Sequence, residues 1–152
     1  MDLGVRGKGY LIVGGTAGIG LAAASALAAD GAAVAIVGRG ETRAANAAQA
    51  LRADHAANVV ALTGDVTVPG EVERLVAEAV AALGSLRGVA VTTGLGRRGQ
   101  QDLLRATDAD WHDTFEDVLL GTVRVCRAVV PLLVESGGDS VVTTAAYSIH
   151  SP

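Results

Sequence analysis

The chain has 152 residues, half of them apolar, with a mean hydropathy of +0.40 and a formal charge of -4 from 12 basic and 16 acidic residues. This length suits one domain, residues 1–152, with a sizeable core, and the acidic balance without a long basic cluster argues against nucleic-acid binding. Cys126 is the only cysteine, which excludes an intrachain disulfide, and no segment has the length of a membrane span. We therefore expect a cytoplasmic protein that does not contact a membrane.

Short β-rich runs alternate with alanine-rich helical runs along the chain. Their composition predicts strands at residues 10–13, 34–37, 59–62, 89–92 and 140–143. Helices are predicted to begin near Gly18, Glu41, Gly70 and Thr107. Because consecutive parallel strands need a helix-length connection, this alternation predicts an α/β fold, a doubly wound parallel sheet with helices on both faces.

The fourth predicted helix is the longest. Thr107 and Asp110 have the spacing of a capping box at its start. A period close to 3.6 residues marks an amphipathic helix with the apolar positions Trp111, Phe115, Leu119, Thr122, Cys126, Val130 and Leu133. The helix dipole, rather than a metal, most simply explains the acidic residues in its first turns, which are Asp108, Asp110, Asp113, Glu116 and Asp117.

The first predicted strand is followed directly by the sequence GGTAGIG at residues 14–20, and then by a helical run. Glycines let the backbone turn tightly and approach a pyrophosphate, and the free N–H groups of the following helix attract its negative charge. The strand-loop-helix context favours dinucleotide binding over an ordinary structural turn, which is the alternative. The candidate contacts in this loop are Gly14, Thr16, Ala17, Gly18, Ile19 and Gly20.

The end of the second predicted strand bears on which dinucleotide binds. An acidic side chain there holds a ribose 2′-hydroxyl, whereas a basic one accepts a 2′-phosphate. The sequence VGRG at residues 37–40 offers no acid, and the planar, permanently charged Arg39 suits a phosphate, so NADP(H) is favoured. Two alternatives stay open: Arg39 is a solvated loop residue, or Glu41 holds the hydroxyl and the cofactor is NAD(H).

The loop resembles the TGxxxGxG motif of the short-chain dehydrogenase/reductase family, with Val13 in place of the usual Thr and with Gly14, Gly18 and Gly20 matching. Further landmarks of the family follow across essentially the whole chain. The resemblance implies a Rossmann-like three-layer sheet of strand order 3-2-1-4-5, incomplete at its C-terminal side. It also implies hydride transfer between NAD(P) and an alcohol or carbonyl substrate, in a homo-oligomer.

The sequence LTGDV at residues 62–66 resembles the end of the family's third strand. By that resemblance Asp65 accepts a hydrogen bond from the adenine amino group, and Val66 lies against the ring. The alternative is structural, because an aspartate just before the helix that follows Pro69 also suits an Asx-turn or a helix N-cap.

The resemblance weakens after the fourth strand. The sequence VTTG at residues 91–94 stands where most relatives have Asn-Asn-Ala-Gly. Threonine hydroxyls still offer hydrogen bonds to the neighbouring strand or to a ribose, so Thr92, Thr93 and Gly94 are kept as candidate cofactor contacts.

Catalytic residues of the family are missing at the matching positions. The helix asparagine that helps to hold a water for the proton relay falls on Val118, and the substrate-orienting serine falls on Ala146. Thr144 and Ser148 replace that serine only if the register slips. We expect His55, His112 and His150 to be surface residues.

The family's Tyr-xxx-Lys pair, in which the lysine lowers the pKa of the tyrosine, is also absent. Tyr147 is followed four residues later by Ser151, and the only lysine of the chain is Lys8. The pair is expected beyond Pro152, and no catalytic residue is assigned within the chain.

The leading hypothesis is therefore the cofactor-binding half of an NADP(H)-dependent oxidoreductase. The alternatives are a non-catalytic dinucleotide-binding module or inactive fragment, and, with less support, a subunit whose partner chain supplies the missing half.

Overall fold

The computed structural model describes residues 3–94, 104–138 and 140–145. Five parallel strands form one sheet in the order β3-β2-β1-β4-β5. Their bounds are β1 Gly9–Val13, β2 Ala33–Gly38, β3 Val59–Thr63, β4 Gly88–Val91 and β5 Ser140–Thr143. The predicted fold class and strand order are thus confirmed, and the predicted strand ends differ by one residue at most.

Helices connect the strands in the expected places. Their bounds are α1 Gly18–Ala29, α2 Glu41–His55, α3 Glu71–Leu83, α4 Asp108–Phe115 and α5 Gly121–Ser136. The π-helical segment Glu116–Leu120 joins α4 to α5, so that residues 108–136 form one continuous structure, here called the long helix. The capping box of Thr107 and Asp110 begins it, as the sequence predicted.

Each face of the sheet has its own core layer. On one face, Ile12, Val34 and Ile36 pack with α1 and α2. On the other face, Leu11 and Val37 pack with α3 and α5. Because side chains alternate along a strand and both faces are covered, each central strand is apolar at almost every position.

The apolar period of the long helix predicted its packing only in part. The residues of α5 that are buried against the sheet are Gly121, Val125, Val129 and Leu133. The predicted apolar series shares only Leu133 with this set, and its members Trp111 and Phe115 are 53% and 55% exposed. The reason is that α5 carries two adjacent apolar rows, so its period does not decide which row faces the sheet. The buried Val125 and Val129 each precede by one residue the predicted Cys126 and Val130.

Among the described residues, no helix combines the length and the apolar character needed to cross a membrane.

Candidate functional site

A cavity of about 410 Å³ lies where the C-terminal ends of β1, β2, β3 and β4 meet. In doubly wound sheets, ligands bind at this edge. Eleven of the twelve residues predicted as cofactor contacts line the cavity, namely Gly14, Thr16, Ala17, Gly18, Ile19, Arg39, Asp65, Val66, Thr92, Thr93 and Gly94. They are thus brought together in space, while their contacts with a cofactor stay predictions.

The phosphate loop, residues 14–20, runs from β1 into the N-terminus of α1. Among the described residues, no side chain caps this helix end, and its first turn contains no acidic residue. Gly18 has a φ of +53°, and a Cβ built on it would meet no protein atom within 4 Å. An open, uncapped helix N-terminus beside a cavity is a suitable site for a phosphate, so the residues present fit a dinucleotide's pyrophosphate.

Gly20, the twelfth predicted contact, does not line the cavity. It is buried beneath the loop, where a Cβ would collide with the carbonyl oxygen of Gly14 and with Thr92 Oγ1. Its role is therefore to let α1 approach the ends of β1 and β4 closely.

Two arginines stand at the end of the cavity above β2. Arg39 follows β2 directly, and Arg43, which sequence reasoning missed, lies in the first turn of α2. Both are exposed. The alternative ligand Glu41 is in the same turn but is not among the residues that line the cavity. The spacing of four residues from Arg39 to Arg43 was the available signal, because it places both near one helix start.

At the end of β3, Asp65 forms the Asx-turn that was the structural alternative for it. Its Oδ1 accepts hydrogen bonds from the Thr67 backbone N–H at 3.0 Å and from Thr67 Oγ1 at 2.8 Å. The same residue lines the cavity, so the structural role and the proposed ligand role are compatible.

The two threonines after β4 differ in their surroundings. Thr92 Oγ1 donates to the carbonyl oxygen of Val13 at 3.0 Å, which joins β4 to β1. Thr93 Oγ1 is buried and has no hydrogen-bond partner among the described residues.

From the long helix, the cavity is lined by Asp117 and not by its neighbour Val118, which is 45% exposed. Sequence reasoning missed Asp117, because the π-helical segment that turns it toward the cavity has no clear signature in the sequence. The other lining residues that were not predicted lie at or just after the C-terminal ends of strands. They are Val13, Val37, Gly38, Gly40 and Gly64.

The remaining candidates for proton transfer do not meet at the cavity within the described residues. His55 Nε2 lies 2.9 Å from Ser25 Oγ and ties α2 to α1, so this half-buried histidine is not the surface residue that was expected. His112 is exposed, as expected, and its Nδ1 lies 2.8 Å from the carbonyl oxygen of Asp108. Residues Ala146, Tyr147, Ser148, His150, Ser151 and Pro152 lie outside the described residues.

No group of three or more His, Cys, Asp or Glu side chains suited to a metal ion occurs in residues 3–94, 104–138 and 140–145.

The sequence over residues 8–151 matches the family model of the short chain dehydrogenases. The chain belongs to this family. A comparison with curated protein sequences gives no match.

Solved structures of the family share the fold described above. The L-sorbose reductase from Gluconobacter frateurii, in complex with NADPH and L-sorbose, is 30% identical with a TM-score of 0.90, over 100% of this chain and 57% of that one. An alcohol dehydrogenase from the archaeon Thermococcus sibiricus, in complex with 5-hydroxy-NADP, is 31% identical with a TM-score of 0.82, over 91% and 58%.

A third structure, of an NADH-dependent reductase responsible for alginate metabolism, has a TM-score of 0.86 over 97% of this chain and 62% of that one, but its identity of 24% supports the fold alone. The chain thus spans 57% to 62% of the lengths of these three proteins.

Proposed function

We propose that this chain is the cofactor-binding portion of an NAD(P)-dependent oxidoreductase that transfers hydride between NADP(H) and an alcohol or carbonyl substrate. The observation that carries the proposal is the cavity at the C-terminal edge of the sheet, with an uncapped helix N-terminus at its phosphate loop. The family membership supports the same conclusion.

The preference for NADP(H) rests on charge. Arg39 and Arg43 are the basic residues that line the cavity in the described part of the chain, and they stand together at the end of β2, where the 2′-position of the adenosine ribose is expected. Two guanidinium groups favour a phosphate dianion over a hydroxyl. The reductase and the alcohol dehydrogenase described above were solved with NADPH and with an NADP derivative, which supports this preference.

Different residues of the chain bind different parts of the dinucleotide. The phosphate loop holds the pyrophosphate, and the two arginines hold the 2′-phosphate. Asp65 and Val66 hold the adenine, and Thr92 supports the loop from below. The bound nicotinamide supplies or accepts the hydride. The described residues contribute no proton donor at the nicotinamide end, so the proton step of the complete enzyme depends on groups outside this set.

Isothermal titration of the purified chain with NADPH, NADP⁺, NADH and NAD⁺ tests the proposal. We expect binding of all four nucleotides and tighter binding of the two that carry the 2′-phosphate. Failure to bind any of them would disprove the proposed function. Equal affinities for the phosphorylated and unphosphorylated forms would leave dinucleotide binding standing and remove the NADP(H) preference.

A non-catalytic dinucleotide-binding module is the second candidate. It is favoured by Val118, an apolar and half-exposed residue at the position of the family's helix asparagine. Turnover separates the two candidates: oxidation of NADPH by a panel of aldehydes and ketones supports the enzyme, whereas binding without turnover by the longest natural form of the protein supports the module.

A homo-oligomer is also part of the proposal, with a second copy packing on the long helix. The predicted series of this helix is symmetric about a point between residues 120 and 121, which pairs Trp111 with Val130, Phe115 with Cys126, and Leu119 with Thr122. Its members Trp111, Phe115, Leu119 and Val130 are exposed, whereas Thr122 and Cys126 are half-buried. An antiparallel copy therefore brings apolar residues opposite each other.

We place the protein in the cytoplasm, because a chain with Cys126 as its only cysteine suits a reducing compartment.

A further inference from the structure

Asp117 lines the cavity from the long helix, at a position where the π-helical segment changes the direction of the side chains. The other acidic residues nearby have different surroundings. Glu116 pairs with Arg124 at 2.8 Å, and Asp110 closes the capping box. Asp113 is exposed one turn earlier and does not line the cavity. Of these acidic residues of the helix start, Asp117 is therefore the one that faces the cavity.

Contacts of the same helix locate Asp117 along the cavity. A Cβ on Gly121, one turn after Asp117, would lie 2.7 Å from Val66 Cγ2. Arg124 Nη1 donates to the carbonyl oxygens of Val66 at 3.3 Å and of Thr67 at 3.4 Å. The start of α5 thus packs on the loop that follows β3. Asp117 consequently lies toward the base end of the cavity, defined by Gly64, Asp65 and Val66, on the far side from β5.

The acidic side chains at the base end of the cavity are hydrogen-bond acceptors. Asp65 and Asp117 are both carboxylates, and an ionised carboxylate only accepts hydrogen bonds. A ligand edge that faces both must offer donors. The exocyclic amino group of adenine carries two N–H bonds, whereas a 6-oxo purine presents a carbonyl oxygen at the same place and would be repelled.

We propose that Asp117 accepts a hydrogen bond from the amino group of the cofactor's adenine, beside Asp65, and thereby selects adenine over a 6-oxo purine. The proposal rests on the proposed function, because it assumes that the cavity holds a dinucleotide with its base over Val66. A hydrogen bond to a charged acceptor corresponds to about a tenfold change in affinity.

The experiment compares the affinities of the chain for NADPH and for its hypoxanthine analogue, nicotinamide hypoxanthine dinucleotide phosphate, by titration calorimetry. The test variant is Asp117→Ala. The control is Asp113→Ala, which removes the same charge from the same helix outside the cavity. Circular dichroism and thermal unfolding establish that both variants are folded. Binding, rather than activity, is the readout.

We expect the unmodified chain and Asp113→Ala to prefer NADPH over the hypoxanthine analogue by the same factor, and Asp117→Ala to lose about tenfold of that preference. An unchanged preference in Asp117→Ala, or an equal loss of affinity for both nucleotides, overturns the assignment of Asp117 and leaves the proposed function standing. If the unmodified chain binds neither nucleotide, both the proposed function and this inference fail.

Discussion

Thr92 is bonded twice to the carbonyl oxygen of Val13: its backbone N–H donates at 2.8 Å and its Oγ1 at 3.0 Å. The two bonds join the C-terminal ends of β4 and β1 directly beneath the phosphate loop. Cβ atoms built on Gly14 or Gly20 would meet Thr92 at very short distances. The threonine and the glycines of the loop therefore form one packed unit that sets the height of the loop above the sheet.

Replacing Thr92 by valine keeps the shape of the side chain and removes the hydroxyl. We expect Thr92→Val to lower the free energy of unfolding by about 1 kcal/mol, the usual net value of one such hydrogen bond, and urea denaturation measures it. Thr93→Val is the matched control. Its buried hydroxyl has no partner among the described residues, so its loss should leave stability unchanged or higher. Equal destabilisation by the two substitutions would contradict the supporting role of Thr92.

Charge in the phosphate loop can be changed at Gly18 without a steric conflict, because a Cβ there meets no protein atom within 4 Å. Gly18→Asp and Gly18→Asn have side chains of nearly equal size and share the same backbone strain at positive φ. Only the aspartate places a negative charge where the pyrophosphate is expected. We expect Gly18→Asp to bind NADPH about tenfold or more weakly than Gly18→Asn in a calorimetric titration.

The outcome would count against a phosphate at this helix end if the two Gly18 variants bound NADPH equally well. Thermal unfolding of both variants provides the control for folding, since a shared loss of stability comes from the backbone and not from the charge.

Most of the fold could be predicted from the sequence because its signals are local. Each strand is a short apolar run, and the glycine loop and the Thr107–Asp110 capping box have fixed spacings. The strand order came from the family resemblance, because parallel strands pair over long separations that local patterns do not specify. The period of the long helix left its packing open, because Val125 and Val129 form a second apolar row beside the predicted Cys126 and Val130.

The residues of the candidate site were likewise predicted where their signals are local in the sequence. The loop and Arg39 were visible as motifs next to strand ends, whereas Asp117 enters the cavity from a helix far along the chain. Arg43 was missed although it lies in the first turn of α2, four residues after Arg39. For Asp65, the sequence left a ligand role and an Asx-turn as alternatives. The structure shows that the turn uses Oδ1 while the residue lines the cavity, so the two alternatives were not exclusive.

Arg39 and Arg43 are expected to set the cofactor preference. Arg39→Ala and Arg43→Ala should each weaken NADPH binding by about tenfold and leave NADH binding nearly unchanged, because only NADPH carries the 2′-phosphate. Added salt should weaken NADPH binding more than NADH binding, since both arginines are exposed and screened by ions. Arg127→Ala, an exposed arginine outside the cavity, is the control. Equal losses for the two nucleotides would argue against a 2′-phosphate site.

Glu71 should make stability depend on pH in the acid range. The hydrogen bonds donated by Arg74, at 2.7 and 3.1 Å, lower the pKa of the Glu71 carboxyl below its usual range, and its partial desolvation opposes this effect more weakly. Because the pKa is lower in the folded state, the ionised form stabilises the fold above the unfolded pKa. That contribution is lost as the pH falls through the folded pKa.

Urea denaturation between about pH 6 and about pH 3 measures this contribution. Glu71→Gln should lose less stability on acidification than the unmodified chain. Glu73 lies in the same turn but has no ion pair among the described residues, so Glu73→Gln should lose as much stability on acidification as the unmodified chain. If Glu71→Gln and the unmodified chain lost the same stability between these pH values, Glu71 would not be a source of the pH dependence.

Self-association is expected to depend on the exposed apolar residues of the long helix. Trp111→Glu places a charge where the antiparallel copy brings Val130, and burying an unpaired charge is strongly unfavourable. We expect this substitution to shift the chain from dimer or higher oligomer to monomer in sedimentation velocity. Leu3→Glu is the control, because Leu3 is 46% exposed and its backbone N–H donates to Asp30 at the end of α1, on another element of the chain. A monomeric unmodified chain, or an oligomer that survives Trp111→Glu, would show that the helix face is not the contact between copies.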